Sequence, residues 1–71
     1  MELPIRIKFG KKLKELRQAR KLTQEKLSEI AEIDYKYLQK IEGKNPPNIK
    51  LETIEKLAKT LKVKPSELLE P

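Results

Sequence analysis

The chain has 71 residues and a formal net charge of +6, with no cysteine and no histidine. This length suffices for one small domain, and the composition excludes a disulfide framework, a conventional zinc site and a nucleophile paired with histidine. Because the N-terminus has no apolar signal segment and no apolar run reaches membrane length, we expect a cytoplasmic protein with no membrane contact.

Positive charge is concentrated at the start of the chain. Residues 1–22 contain eight Lys or Arg and two Glu, residues 23–42 contain three Lys and five Asp or Glu, and residues 43–71 contain six Lys and four Glu. The three segments therefore carry +6, −2 and +2. A sequence pI near 9.7 favours a nucleic-acid partner, although a chain with 39% charged residues is also typical of heat-stable proteins.

The first predicted helix follows a short N-terminal arm. We expect residues 1–6 to be flexible, with Ile5 and Ile7 suited either to a strand-like arm or to an early helical turn. Apolar residues at i, i+4 and i+7 then predict an amphipathic helix that begins at Ile7 or Lys8 and ends near Arg20. These apolar residues are Phe9, Leu13 and Leu16.

Residues 23–42 predict two short helices joined by a tight turn. Thr23 and Asp34 each stand where a side-chain oxygen can cap the start of a helix. The apolar positions of the two halves do not share one helical phase, so a turn of roughly three residues must separate them. We expect the two helices to be held to the rest of the domain by six apolar residues: Leu27, Ile30, Ala31, Ile33, Leu38 and Ile41.

The remaining chain predicts two more helices. Gly43 and the following KNPPN stretch end the third helix, because proline lacks a backbone donor and disfavours helix at the preceding residue. Apolar periodicity predicts an amphipathic fourth helix over Leu51–Leu61, and a proline at the first position favours a fifth over Pro65–Leu69. Residues 1–71 are therefore predicted to form one all-α domain of five helices.

The chain contains LRQARKLTQEKLSEIAEI, then YLQKIEGK, then LETIEKLAKTLKV and PSEL. Together these stretches resemble the Cro and phage-repressor type of helix-turn-helix domain, the XRE-like family. The resemblance implies a five-helix, lambda-repressor-like DNA-binding fold in which helices 2 and 3 form the helix-turn-helix. It also implies that the third helix enters the major groove of double-stranded DNA, and that dimers read two half-sites about 34 Å apart.

The third predicted helix has one apolar and one polar face. Helical periodicity places four residues within a polar arc of about 140°. These residues are Tyr35, Lys36, Gln39 and Lys40. The resemblance implies that they read DNA bases, since lysine can donate to guanine, glutamine can bond adenine, and tyrosine can reach a phosphate or a thymine methyl. The alternative is an ordinary solvated face, which carries the same residue types.

The resemblance also implies ligands for the DNA backbone and one structural ion pair. Gln24 matches a phosphate-binding position at the start of the second helix, where the helix dipole favours an anion. The other predicted phosphate ligands are Thr23, Tyr37, Lys44 and Asn45. Arg17 and Glu42 match an ion pair that ties the first helix to the end of the third.

Three positions depart from the family pattern. The family commonly has glycine where this chain has Lys21, Glu32 and Lys62, because the chain closes a helix there in a left-handed conformation. Either these residues become left-handed at a cost of roughly 1 kcal/mol each, or the turn between helices 2 and 3 differs and shifts the recognition helix.

The function implied is a sequence-specific DNA-binding transcriptional regulator that acts as a homodimer on a roughly palindromic operator. A restriction–modification controller, a phage-type repressor and an antitoxin remain open as settings. Leu68, Leu69 and the outer part of the fourth helix are candidates either for the dimer contact or for core packing.

The alternative function is an antitoxin-like or other protein-interaction module with a protein partner such as a toxin, which the −2 charge of residues 23–42 favours. We expect no enzyme, metal or cofactor, because the scattered carboxylates assemble no catalytic constellation.

Overall fold

The computed structural model describes residues 3–69, which form five α-helices and no strand. The helices are α1 (Ile5–Ala19), α2 (Gln24–Ala31), α3 (Tyr35–Ile41), α4 (Leu51–Leu61) and α5 (Pro65–Leu69). α1 packs against α3 and α5, α2 packs against α3 and α4, and α4 packs against α5. The predicted all-α architecture is confirmed, and within the described residues no helix is long and apolar enough to cross a membrane.

One hydrophobic core contains side chains from all five helices. Each of its ten members is at most 5% exposed. They are Phe9, Leu13, Leu27, Ala31, Leu38, Ile41, Leu57, Ala58, Leu61 and Leu68. Since burial of apolar surface is the main favourable contribution to folding, and no helix here can bury its apolar face alone, the five helices depend on one another for stability.

α1 begins at Ile5, two residues before the predicted start. Pro4 has a φ of −55° and precedes the helix, and its carbonyl accepts backbone hydrogen bonds from the residues three and four positions later at 3.0 and 3.1 Å. The prediction of a flexible arm over residues 1–6 is therefore wrong for residues 5 and 6, which form the first turn. Residues 1 and 2 lie outside the described part of the chain.

Three connections use the same left-handed turn, although none contains glycine. Lys21, Glu32 and Lys62 have φ values of 55°, 56° and 59°. After each of them, the next backbone N–H donates to the carbonyl five residues earlier at 3.0 or 3.1 Å. The donors are Leu22, Ile33 and Val63, which also pack against the core. This apolar contact stabilises the turn without glycine, so the turn between α2 and α3 keeps the geometry that glycine normally provides.

Replacing Glu32 with glycine is expected to raise the free energy of unfolding by about 0.5–1 kcal/mol. The substitution removes a strained Cβ and a negative charge at a helix C-terminus, although glycine also increases the flexibility of the unfolded chain. Thermal unfolding measures the effect. Glu32→Ala is the matched control, because it removes the charge and keeps the Cβ. Equal melting temperatures for the two variants would contradict the prediction, because the strain relieved by glycine would then be no larger than the entropy that it adds to the unfolded chain.

Two apolar residues that belong to the predicted helical patterns are exposed. Ile30 is 50% exposed, because the buried arc of α2 runs from Leu27 towards Ser28 instead. Ser28 tolerates burial because its hydroxyl donates to the Glu25 carbonyl at 2.8 Å. Leu51 is 79% exposed, since it lies in the first turn of α4 at the edge of the buried arc. The prediction that Ile30 holds the helix-turn-helix to the core is therefore wrong.

Candidate DNA interface

α3 presents a polar face to solvent. The four predicted base-reading residues, Tyr35, Lys36, Gln39 and Lys40, are all exposed. On the opposite face, Leu38 and Ile41 are fully buried. The Asp34 carboxylate caps the start of the helix by accepting a hydrogen bond from the Tyr37 backbone N–H at 3.1 Å. A helix of this length is about 10 Å long, which suits a major groove about 12 Å wide.

Two of the predicted base-reading residues are bonded to each other. The Gln39 Nε2 donates to the Tyr35 hydroxyl at 3.2 Å. Side chains four residues apart lie on the same side of a helix, which allows this contact. The bond joins the ends of the two side chains on the exposed face of α3.

The start of α2 contains two predicted phosphate ligands. The Thr23 Oγ1 accepts a hydrogen bond from the Lys26 backbone N–H at 3.0 Å and so caps the helix. The half-buried Gln24 donates from Nε2 to the Glu42 Oε1 at 3.1 Å. Because a primary amide has a second N–H, this bond orients Gln24 without using all of its donor capacity.

The Arg17 guanidinium and the Glu42 carboxylate form the pair expected from the sequence. Arg17 Nε donates to Glu42 Oε2, and Arg17 Nη2 donates to Glu42 Oε1, both at 2.9 Å. Arg17 Nη1 donates to the Leu22 carbonyl at 2.7 Å. The two side chains are only 10% and 2% exposed. Together with Gln24, this network fixes the end of α3 to both α1 and α2.

The remaining predicted phosphate ligands lie on α3 or just after it. Lys44 and Asn45 are exposed in the turn that follows the helix. Tyr37 is half-buried and packs against the core. Its hydroxyl donates to the Asn48 carbonyl at 3.5 Å, the outer limit of a hydrogen bond. Tyr37 therefore supports the connection between α3 and α4, whereas Lys44 and Asn45 are accessible to an anion.

Sequence reasoning missed the role of Gly10. A Cβ atom at this position would lie 2.3 Å from the Ile41 carbonyl oxygen. The backbones of α1 and α3 therefore approach more closely than any side chain at Gly10 would allow. One signal was present in the sequence, because a glycine inside a helical pattern costs about 1 kcal/mol relative to alanine and usually has a packing reason.

Comparison with known proteins agrees with this geometry. The family model of a helix-turn-helix domain matches residues 10–70. The control protein C.BamHI of Bacillus amyloliquefaciens is 36% identical over 67 residues, which cover 93% of this chain and 82% of that protein.

Two solved structures are also similar to this chain. The restriction-modification controller protein C.AhdI from Aeromonas hydrophila has a TM-score of 0.83 and 40% identity, over 89% of this chain and 94% of that one. The hypothetical transcription factor NHTF from Neisseria has a TM-score of 0.89 and 32% identity, over 99% of this chain and 82% of that one. The chain is therefore a DNA-binding transcriptional regulator and belongs to the Cro and phage-repressor type (XRE-like) helix-turn-helix family.

Proposed function

We propose that this protein is a restriction–modification controller that binds a roughly palindromic operator as a homodimer. The observation that carries the proposal is the fixed orientation of α3, whose polar face is exposed while its C-terminal end is held by Arg17 and Gln24 through Glu42. The similar proteins C.BamHI and C.AhdI, which are named as control or controller proteins, support this setting over a phage repressor or an antitoxin.

The proposed contacts follow from the exposure of each side chain. Exposed residues of α3 read bases in the major groove: Tyr35, Lys36, Gln39 and Lys40. Thr23 and Gln24 lie against one backbone phosphate at the start of α2, where free N–H groups and the helix dipole favour an anion. Lys44 and Asn45 bind the phosphates beyond the end of α3, and the Tyr37 hydroxyl contributes only if it leaves the Asn48 carbonyl.

The homodimer needs a contact surface elsewhere on the domain. Ile5, Leu51 and Leu69 are 63%, 79% and 40% exposed, and half-buried Ile54 lies between them. Two clefts that share Ile54 and Leu69 connect these residues. We name the four residues the apolar surface, since clustered exposed apolar side chains are typical of interfaces. Of the two roles open to Leu68, full burial favours core packing over a dimer contact.

Selection of bound sites from random duplexes tests the proposal directly. We expect enrichment of an inverted repeat whose half-sites are separated by about one helical turn, roughly 34 Å, because a twofold dimer presents two α3 helices to one side of the duplex. Absence of any enriched sequence at low salt would overturn sequence-specific binding. DNA binding through phosphate contacts should weaken steeply between about 50 and 200 mM salt. Binding to a protein partner through a largely apolar interface should hardly respond to salt over the same range.

Replacing Lys36 with alanine is expected to relax base preference at one or two base pairs of each half-site. The loss corresponds to about 1–3 kcal/mol of discrimination, which is typical of a side chain that donates to a base edge. Binding titrations with the selected operator and its single-base variants measure this preference. Lys44→Ala is the control, because a lost phosphate contact weakens binding to all sequences alike. If Lys36→Ala instead weakened the affinity for all sequences alike, Lys36 would not be a base-reading residue.

Replacing Leu51 with glutamate is expected to make the protein monomeric at micromolar concentration. The new charge would lie within the apolar surface and lose its hydration in the dimer. Leu51 is largely exposed in the monomer, so the fold itself should tolerate the change. Sedimentation equilibrium measures the mass, and Ile30→Glu provides a matched control at an exposed apolar residue outside the surface. A dimer that persists in Leu51→Glu would place the interface elsewhere.

A further inference from the structure

A basic cleft lies between α1 and the end of α3. It has a volume of about 330 Å³, is open to solvent, and is lined by Ile7, Lys11, Lys14, Glu42, Gly43 and Lys44. Three lysines, Lys11, Lys14 and Lys44, therefore line one cleft. The cleft lies where residues 1–22, the most basic segment of the chain, pack beside α3. We refer to Lys11, Lys14 and Lys44 as the lysine cluster.

The positive charge of the lysine cluster is not neutralised by the protein. Within residues 3–69, none of the three ammonium groups forms an ion pair, since the pairs there are Arg17–Glu42 and Lys26–Glu29. The carboxylate of Glu42 lies at the wall of the cleft, but it already accepts three hydrogen bonds from Arg17 and Gln24. Glu15 follows Lys11 by one turn, yet it neither lines the cleft nor pairs with Lys11. The cleft therefore attracts an anion.

The cleft continues the positive edge of α3. Lys36 and Lys40 are exposed one turn apart on the helix, and Lys44 follows four residues later in the turn after it. Lys11 and Lys14 extend this edge onto α1. If α3 lies in the major groove, its C-terminal end points towards the sugar–phosphate backbone that borders the groove. The lysine cluster then meets phosphates beyond those bases that α3 contacts.

We infer that the lysine cluster binds backbone phosphates that flank each half-site of the operator. This inference rests on the proposed function for the identity of the duplex, but the contact itself requires no base sequence. It also accounts for the charge distribution, in which the helix-turn-helix is acidic and α1 is strongly basic. On this basis α3 supplies sequence discrimination, whereas α1 supplies much of the electrostatic attraction.

The test compares two double variants of equal charge. Lys11→Gln with Lys14→Gln removes two charges from the cleft, and Lys56→Gln with Lys59→Gln removes two exposed charges from α4. Affinity is measured against salt concentration on a duplex of arbitrary sequence, and on the operator once it is selected. The slope of log K against log salt should become shallower by roughly 1.8 per protomer for the cleft variant and stay near the wild-type value for the control. Lys11→Arg with Lys14→Arg keeps the charges and should keep the slope.

Three outcomes would overturn the inference. The first is an unchanged slope in the cleft variant, and the second is an equal loss in the α4 control, which would indicate net charge alone. The third is a hydroxyl-radical footprint on the operator that keeps its flanking backbone protection in the cleft variant. Far-UV circular dichroism and thermal unfolding establish that every variant is folded. Because the arbitrary duplex needs no operator, failure of this contact is distinguishable from failure of sequence-specific binding.

Discussion

Replacing Arg17 with alanine is expected to lower the midpoint of thermal unfolding by at least about 12 °C. Removing one partner of a buried ion pair typically costs about 3–5 kcal/mol, and each 1 kcal/mol shifts the midpoint of a domain of this size by roughly 4–8 °C. The large cost arises because Glu42 would keep its charge at only 2% side-chain exposure, and because the Leu22 carbonyl would lose its donor. Differential scanning calorimetry measures the midpoint.

Arg20→Ala is the control for this experiment. It removes the same guanidinium from an exposed position at the end of α1. Two further variants separate the ion pair from the stranded charge. Arg17→Met leaves the Glu42 carboxylate unpaired, whereas Arg17→Met combined with Glu42→Leu removes the carboxylate as well. The double variant should therefore be more stable than Arg17→Met alone. DNA binding should nevertheless stay weak in the double variant at temperatures where it is folded, because the bonds that join Glu42 at the end of α3 to α1 and α2 are then lost. A midpoint for Arg17→Ala equal to that of Arg20→Ala would contradict a structural role for the pair.

Replacing Gly10 with alanine is expected to destabilise the domain even though alanine is the better helix former. The added Cβ would lie 2.3 Å from the Ile41 carbonyl oxygen, so α1 and α3 must separate by about 1 Å to reach normal contact distances. Overpacking of this kind typically costs about 1–3 kcal/mol or more, whereas the gain in helix propensity is about 1 kcal/mol. The net effect is a loss of stability, together with a displaced recognition helix and weaker operator binding.

Gly43→Ala separates this effect from the general one of adding a methyl group. Its Cβ would lie 3.2 Å from the Gln39 carbonyl oxygen, which requires only a small adjustment. We therefore expect a much smaller change in the midpoint of thermal unfolding and in DNA affinity. A Gly10→Ala protein that is as stable as the wild type would contradict the prediction, because separating α1 and α3 would then cost no more than the roughly 1 kcal/mol gained in helix propensity.

The predicted elements that proved accurate depend on local chemistry. The caps at Thr23 and Asp34, the helix that opens with Pro65, and the polar face of α3 each follow from residues a few positions apart. Such interactions form within a single helix or turn, so a sequence pattern is enough to identify them. The family resemblance added the Arg17–Glu42 pair, which periodicity alone could not supply.

The errors concern burial, which depends on the neighbouring helices. Ile30 belongs to an apolar pattern, yet α3 and α4 cover the adjacent arc of α2 that contains Ser28. The one exception concerns a helix start: of the two possibilities for Ile5, the early helical turn is the one that forms, since the Pro4 carbonyl accepts the first backbone bonds of α1. Leu68 and Leu69 look equivalent in the sequence, and the core includes only the first of them. Hydropathy depends only on the residue type, whereas the burial of a side chain depends on which neighbouring helices pack against it.

Five helices, the caps at Thr23 and Asp34, and the polar face of α3 follow from the amino-acid pattern alone. The way in which α3 is held depends instead on contacts between helices, namely the bonds of Glu42 to Arg17 and Gln24 and the close contact of Gly10 with Ile41. A sequence pattern does not reveal these contacts because the partners are far apart along the chain: the bonds to Glu42 join residues 25 and 18 positions apart. Such contacts contribute free energy only after the core has brought the helices together.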